Sequence, residues 1–371
     1  MEFGFSADQE QLKAGVRRFL DAECPLERVR TVMASKDPHD VGLWKKTADL
    51  GWPGLTIPEE YGGLGLAWED LVVLAEETGR SLFPSPLLAS AAAARAIHAL
   101  GSAEQKKRWL PSIAAGDLIA TLAVLEESDD LSEAGVELAA AASGSGVTLS
   151  GKKLFVPWGQ AASLLLVAAR ENGGVSLFAV PSDAAGVTVS PLRLIDQTQR
   201  AAEVVLDGVT VDATARLGAA GAAWAPLAKV VDAATVALAA EMVGAADAAL
   251  RLATEYAKIR KQFGEVIGKF QGVKHRLAEI LVDVESSRSL VYFASWAVDN
   301  MDDPRAHVSM AKAYASIALD RAGEDGIQIH GAVGFTWECD AHLYYKRGRY
   351  CRSLGGTPEY HHERLLVSQG L

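Results

Sequence analysis

Apolar side chains recur at helical spacing through residues 7–22, with Ser6 placed to cap the first turn. The same rhythm predicts helices over 43–50, 68–80 and 87–100. Between the second and third helices, Ile57-Pro58-Glu59-Glu60-Tyr61-Gly62-Gly63-Leu64-Gly65 is too rich in turn formers to stay helical. Ser102-Ala-Glu-Gln105 reads as a capping box that opens a short helix ending near Gly116. From about residue 119 the period shortens. Stretches at 147–151, 164–168, 175–180, 187–189 and 204–206 are β-rich and separated by Gly, Asp or Pro, which predicts a compact sheet region. Past Gly218–Gly221 the helical period returns. Residues 228–259 form one long helix, apolar on nearly every side and so expected inside a bundle; 272–300 and 306–327 follow, then an irregular turn at 331–334 and a polar tail.

Composition narrows the function classes. A chain of 371 residues with 49% hydrophobic and 22% charged residues reads as a soluble globular protein of two or three regions. The net charge of −11 argues against a broad nucleic-acid or anionic-membrane surface. No basic-plus-apolar leader is expected at the start, and no apolar run is expected to span a bilayer. Cys24, Cys339 and Cys351 are scattered without metal-ligand spacing, which fits a reducing cytoplasm. His330, His342, His361 and His362 offer no convincing metal set, since 361 and 362 are adjacent and point apart.

Candidate chemistry gathers where the long helix ends, at Tyr256-Ala-Lys-Ile-Arg260-Lys-Gln262-Phe263-Gly264, with a restart at Phe270-Gln271. A guanidinium, amide side chains and an aromatic ring beside a chain reversal suit a nucleotide pyrophosphate and its flat ring. Taken alone, the same residues are a helix end with a solvated cation. Together with Ile57-Pro-Glu-Glu-Tyr-Gly-Gly and Ile327-Gln328-Ile-His-Gly331-Ala-Val-Gly334-Phe-Thr-Trp337, in this order, the stretch resembles the acyl-CoA dehydrogenases over essentially the whole chain.

The resemblance implies an α+β, mainly α fold: an N-terminal helical domain (1–118), a central β-domain (119–221) and a C-terminal four-helix bundle (222–371). It implies FAD-dependent α,β-dehydrogenation of an acyl-CoA thioester in lipid metabolism. A carboxylate takes the α-proton, the β-hydrogen passes as hydride to flavin N5, and electron-transfer flavoprotein is the acceptor. Members are dimers or dimers of dimers in which two chains build each flavin site. By similarity Arg260 meets the pyrophosphate with Gln262 and Phe263 beside it, Gln271 extends that surface, and Gln328 and Gly331 approach the adenosine. Thr357 joins the cofactor contacts and Asp232 faces CoA; no metal is implied.

The same comparison exposes losses. The family's Tyr-Glu-Gly-Thr run, which carries the base, is Leu354-Gly355-Gly356-Thr357 here, and the alternative base position is Ala234. The Thr-Glu-Pro segment is Leu125-Glu126-Glu127, and the Trp-Ile-Thr segment is Phe155-Val156-Pro157, so a proline replaces a hydroxyl donor. Thr235 replaces an arginine, Ala332 stands where a second glycine is common, and Glu359 replaces an amide. Residues a subunit offers to its neighbour's flavin remain; those it uses around its own ring are altered. Two main readings follow. The chain is a dehydrogenase whose unconventional base is Glu241, or it is a non-catalytic companion completing FAD sites in a heterotetramer with a sister acyl-CoA dehydrogenase subunit. Glu241 has a plainer reading as a buried glutamate satisfied by a partner, and a homomer repurposed for binding is a third possibility.

Overall fold

The computed structural model of the chain describes residues 5–144 and 146–371. In chain order its helices are α1 (Ala7–Glu23), α2 (Leu26–Ala34), α3 (Val41–Asp49), α4 (Trp68–Arg80), α5 (Leu87–Leu100), α6 (Ala103–Ala114), α7 (Trp224–Ile259), α8 (Gln271–Asn300), α9 (Arg305–His330), α10 (Ala341–Ser353) and α11 (Pro358–Ser368). Strands β1 (Ala120–Ala123), β2 (Ala139–Ser143), β3 (Gly146–Pro157), β4 (Leu164–Glu171), β5 (Gly174–Pro181), β6 (Val187–Pro191), β7 (Ala201–Asp212) and β8 (Arg216–Leu217) form one sheet. β9 (Lys261–Gln262) and β10 (Glu265–Val266) form a separate hairpin. The chain gathers into two compact units, one of residues 35–67 and 84–234, the other of 1–34, 68–83 and 235–371.

The first unit is built on the sheet, in strand order β6-β7-β3-β2-β4-β5-β8 with β1 beside β4. Alternation along a strand puts Leu164, Leu166 and Ala168 of β4 on one face, with Val175, Leu177 and Ala179 of the antiparallel β5. That face is buried against Ile97 of α5, Leu110 and Ile113 of α6, and Leu227 and Val230 of α7. The capping box of α6 forms as its sequence requires: Ser102 N–H donates to Gln105 Oε1 (2.8 Å), and Gln105 N–H donates to Ser102 Oγ (3.3 Å). Gln105 Nε2 also donates to the carbonyls of Thr214 (2.8 Å) and Arg216 (2.9 Å), which fastens the helix start to the strand. Within the 57–65 turn, a Cβ on Gly63 would lie 2.0 Å from the Ile57 carbonyl oxygen, so only glycine fits there.

The second unit is helical. Ser6 caps α1 through a capping box with Gln9. α1 packs on α4, α4 on α8, and α9 carries α8, α10 and α11 around it. Ala311, Ala315, Ala318 and Ala322 of α9 are fully buried, small enough to let three neighbours approach one axis. α4 and α7 touch backbone to backbone: a Cβ on Gly79 would lie 2.0 Å from the Glu241 carbonyl oxygen, and one on Gly244 would lie 1.8 Å from that of Glu76. Glu76 is buried there among Lys13 (3.1 Å), Arg288 (3.2 Å) and Tyr292 Oη (2.6 Å). Burial works to raise its pKa, but Arg288 and Lys13 outweigh burial and hold it below the ordinary carboxylate value.

Several elements differ from the sequence reading. The polar tail, to which no element was assigned, forms α10 and α11. The charged run of α10 hides a core face of Leu343, Tyr344 and Cys351 with the fully buried Arg347, a cation in a position that reads as solvent-facing. α2, β1 and β2 were not expected; Ala139–Ser143 has no alternation, because β2 is a run of alanines closed by a serine. Finally, α7 is long and apolar enough to cross a membrane, contrary to the reading of its sequence, yet 89% of its most apolar window is buried inside the protein.

Candidate cofactor site

A small core of Ala253 and Ala257 (α7), Ile267 and Ile329 (α9), joined by Tyr256, Val273 and Leu277, ties three helix ends into one corner. Tyr256 stacks on His330, with ring centroids 4.4 Å apart, and His330 Nδ1 lies 2.7 Å from the Gly326 carbonyl. The imidazole is thus part of the packing. On the outer surface of this corner stand Arg260, Gln262, Phe263, Gln271, Gln328 and Gly331, all exposed. The six, drawn from positions 260–331, share this corner.

The corner has a definite local cause. Arg260 N–H closes α7 on the Tyr256 carbonyl (2.9 Å), and its own carbonyl accepts from Ile267 N–H (2.8 Å). Between them the β9–β10 hairpin reverses through Phe263 (φ 53°) and Gly264 (φ 79°), two left-handed residues that suit a tight two-residue turn. For phenylalanine this backbone costs about 1–2 kcal/mol, and its ring is 93% exposed, touching only the edge of Phe270 at 6.1 Å. Among the described residues the Arg260 guanidinium has no ion-pair partner. α8 begins with no side-chain cap at Phe270, leaving its first amides unsatisfied by side chains. An ideal Cβ on Gly272 or on Gly331 (φ +67°) would meet nothing within 4 Å. A free cation, an uncapped helix N-terminus and open glycine backbone fit a phosphate-bearing ligand, and the exposed ring fits a flat one.

Thr357 lies elsewhere. Its hydroxyl caps α11 by accepting from Tyr360 N–H (3.3 Å), and its turn is held against Lys312 of α9 through the Gly356 carbonyl (3.0 Å). From Lys312 to Gln328 is sixteen residues, about 24 Å along a straight helix at 1.5 Å per residue. The predicted cofactor contacts therefore divide into two places on the second unit, one at each end of α9. Glu359, beside Thr357, pairs with Arg352 (2.7 Å).

The altered segments of the first unit are neighbours. Leu154 N–H donates to the Leu125 carbonyl (2.9 Å), and Lys153 Nζ donates to Val124 (3.0 Å) and to the Glu126 carboxylate, which also accepts from the amides of Glu137 (3.1 Å) and Leu138 (3.0 Å). Burial pushes the Lys153 ammonium down to about 8 despite Glu126. Glu126 is therefore a structural anchor. A bulge between Lys153 and Val156 puts Phe155 (φ 48°), 44% exposed, in left-handed backbone, and Trp158, just past the strand end, is left-handed too (φ 53°). Pro157 offers only a carbonyl, which already accepts from Thr121 Oγ1 (2.6 Å).

Asp232 is buried on α7 within the first unit. Glu241 is buried in the α4–α7 contact, where Thr78 Oγ1 donates to its carboxylate (3.4 Å). The alanines around it serve this close packing. Glu241→Gln is expected to lower stability by about 1–3 kcal/mol, through loss of a buried charged acceptor, and to leave flavin binding unchanged. Urea unfolding and a visible spectrum of the variant check this; a bleaching reaction lost with normal stability would make Glu241 the base instead. Sequence reasoning overlooked Lys312 and weighed His361 only as a metal ligand, whereas both hold the Gly355–Gly356 turn. The one available signal was a lysine inside the small-residue run Ala311-Lys312-Ala313 of an otherwise buried helix face.

Comparison with known proteins matches residues 6–117 to the acyl-CoA dehydrogenase N-terminal domain and residues 224–369 to the acyl-CoA dehydrogenase C-terminal domain. The acyl-CoA dehydrogenase IpdE2 of Mycolicibacterium smegmatis is 31% identical over 97% of this chain and 98% of its own length. The crystal structure of the ChsE4–ChsE5 complex from Mycobacterium tuberculosis superposes with TM-score 0.92 at 28% identity, covering 100% of this chain and 99% of the other. PigA, solved with FAD and proline, superposes with TM-score 0.92 at 26% identity over the full length of both chains. With both terminal domains matched and a relative aligned nearly end to end, the chain belongs to the acyl-CoA dehydrogenase family.

Proposed function

We propose that this chain is the non-catalytic companion in a heteromeric, FAD-dependent acyl-CoA dehydrogenase, lending the Arg260 corner to a flavin held mainly by a sister subunit. The observation that carries the reading is the division of cofactor-facing residues along α9. At one end Arg260, Gln262, Phe263, Gln271, Gln328 and Gly331 are intact and exposed. At the other, the turn that would bear a base has Gly355 in its place, and in the first unit Leu125 and Pro157 stand where hydroxyl donors are expected. Glu241, the alternative base, is packed against Thr78. Support also comes from the likeness to one chain of the ChsE4–ChsE5 complex and to PigA with its FAD.

When bound, FAD supplies the two-electron redox step. The residues of this chain would bind and orient it: the Arg260 guanidinium fork would hold phosphate oxygens, the amides at the start of α8 would add partial positive charge, and the exposed Phe263 ring would offer a flat apolar surface. Acyl-CoA would be oxidised by the sister chain, with electron-transfer flavoprotein as acceptor. The test is to purify the chain alone and together with a base-bearing sister dehydrogenase. The chain alone is expected to be colourless or unresponsive to acyl-CoA, and the pair to show a flavin spectrum that acyl-CoA bleaches. A lone chain whose bound flavin is bleached by acyl-CoA would overturn the reading in favour of a self-sufficient dehydrogenase.

A further inference from the structure

The turn Leu354-Gly355-Gly356-Thr357 has lost its carboxylate, yet it is held by two deeply buried side chains of the second unit. Lys312 is fully buried on α9 and aims its ammonium at three neutral oxygens: the Gly356 carbonyl (3.0 Å), the Arg352 carbonyl (3.3 Å) and Ser316 Oγ (3.1 Å). Three N–H donors meet three acceptors, and among the described residues no carboxylate pairs with it. His361 of α11, also buried, donates from Nε2 to the Gly355 carbonyl (2.9 Å), with Nδ1 facing Ser309 Oγ at 3.4 Å. Burial, reinforced by Lys312, pushes the His361 imidazole down to about 3, so it is neutral near pH 7 and the carbonyl selects the tautomer with hydrogen on Nε2. Both carbonyls of the glycine pair are thus occupied from the interior.

The glycines themselves differ. Gly356 (φ +106°) admits no side chain, because its Cβ would fall 2.5 Å from the Tyr360 ring and 2.9 Å from His361 Nε2. Gly355 (φ +70°) faces Thr235 Oγ1 at 3.3 Å from an ideal Cβ, and Leu238 at 3.8 Å. The turn is therefore closed to side chains at 356 and faces the Thr235–Leu238 stretch of α7 closely at 355. A buried ammonium without a counter-ion is costly. Burial draws Lys312 down to about 8, with Cys351 opposing, Arg352 reinforcing and Asp320 opposing. Packing alone would have been served by methionine.

We infer that Lys312 and His361 are positioning residues, which grip the two carbonyls of the Gly355–Gly356 turn and so set the point from which Thr357 meets cofactor. The Thr357 half of this inference rests on the cofactor reading above; the grip itself does not. The test measures amide exchange at residues 354–361 in the full-length chain, then FAD affinity in whichever form, alone or paired, takes up flavin. Lys312→Met and His361→Phe are each expected to raise exchange at the Gly356, Tyr360 and His361 amides about tenfold and to weaken FAD about tenfold, the effect of one hydrogen bond with a charged or buried partner. His361→Gln keeps an N–H donor and is expected to restore both. If Lys312→Met fails to fold, the His361 pair decides. Unchanged exchange in the Met and Phe variants overturns the grip. Raised exchange with unchanged FAD affinity overturns the positioning role and leaves a merely structural contact. If no form of the native protein binds FAD, the cofactor reading fails, and the positioning role with it, while the exchange result still decides the grip.

Discussion

Arg260→Ala is expected to weaken FAD binding in the assembled enzyme by about 10- to 100-fold while leaving the fold intact. Charge-assisted hydrogen bonds contribute about 1.5–3 kcal/mol, and each 1.4 kcal/mol corresponds to about tenfold in affinity. The fold is spared because the guanidinium is exposed and has no ion-pair partner among the described residues; only the Arg260 backbone holds α7 and the hairpin, through Tyr256 and Ile267. Arg260→Lys keeps the charge but loses the planar fork, so it should fall between the two. Lys258→Ala, which removes a cation already paired with Glu255 at 2.6 Å one turn earlier, should change little. Flavin fluorescence titration of the three variants measures this. Equal affinities for native and Arg260→Ala protein would remove the Arg260 corner from the cofactor site.

The largest effect on stability is expected from Gly244→Ala. Its Cβ would sit 1.8 Å from the Glu76 carbonyl oxygen and 2.9 Å from the Arg80 amide nitrogen, so backbone and not a flexible side-chain tip is in the way. α4 and α7 would have to separate. Separation would strain the buried Glu76 set with Lys13, Arg288 and Tyr292, and the Arg17–Glu77 pair that joins α1 to α4. A loss of about 3 kcal/mol or more follows from overpacking combined with a disturbed buried network. Gly79→Ala should act alike, since its Cβ would lie 2.0 Å from the Glu241 carbonyl. Gly15→Ala on α1 meets nothing within 4 Å and should instead stabilise by about 0.5–1 kcal/mol, the ordinary helix preference. Urea midpoints of the three variants settle the matter, and equal midpoints for Gly244→Ala and native protein would contradict the helix contact.

Much of the fold was legible because its signals are local. The Ser6 and Ser102 capping boxes are completed within three residues, and the short, wholly apolar run at 164–168 reads locally as a strand buried on both faces. α10 was not legible, since Arg347 is a buried cation and the helix that covers it lies elsewhere in the chain. The Arg260 corner was legible through its residue types. Its counterpart at Thr357 was legible as chemistry but not as a separate place, because nothing in the sequence says that α9 intervenes.

The sequence by itself determined where most helices and strands run, which faces seek burial, and that the chain keeps Arg260, the cation that the family resemblance assigns to a pyrophosphate, with no carboxylate at Ala234 or Gly355. Only the tertiary structure decided that Glu241 meets Thr78, 163 positions away, and that Lys312 meets Gly356, 44 positions away. The reason is physical. Periodicity reports that a face is apolar, but whether a polar group on that face is satisfied depends on a partner brought there by packing, and no local pattern encodes which partner arrives.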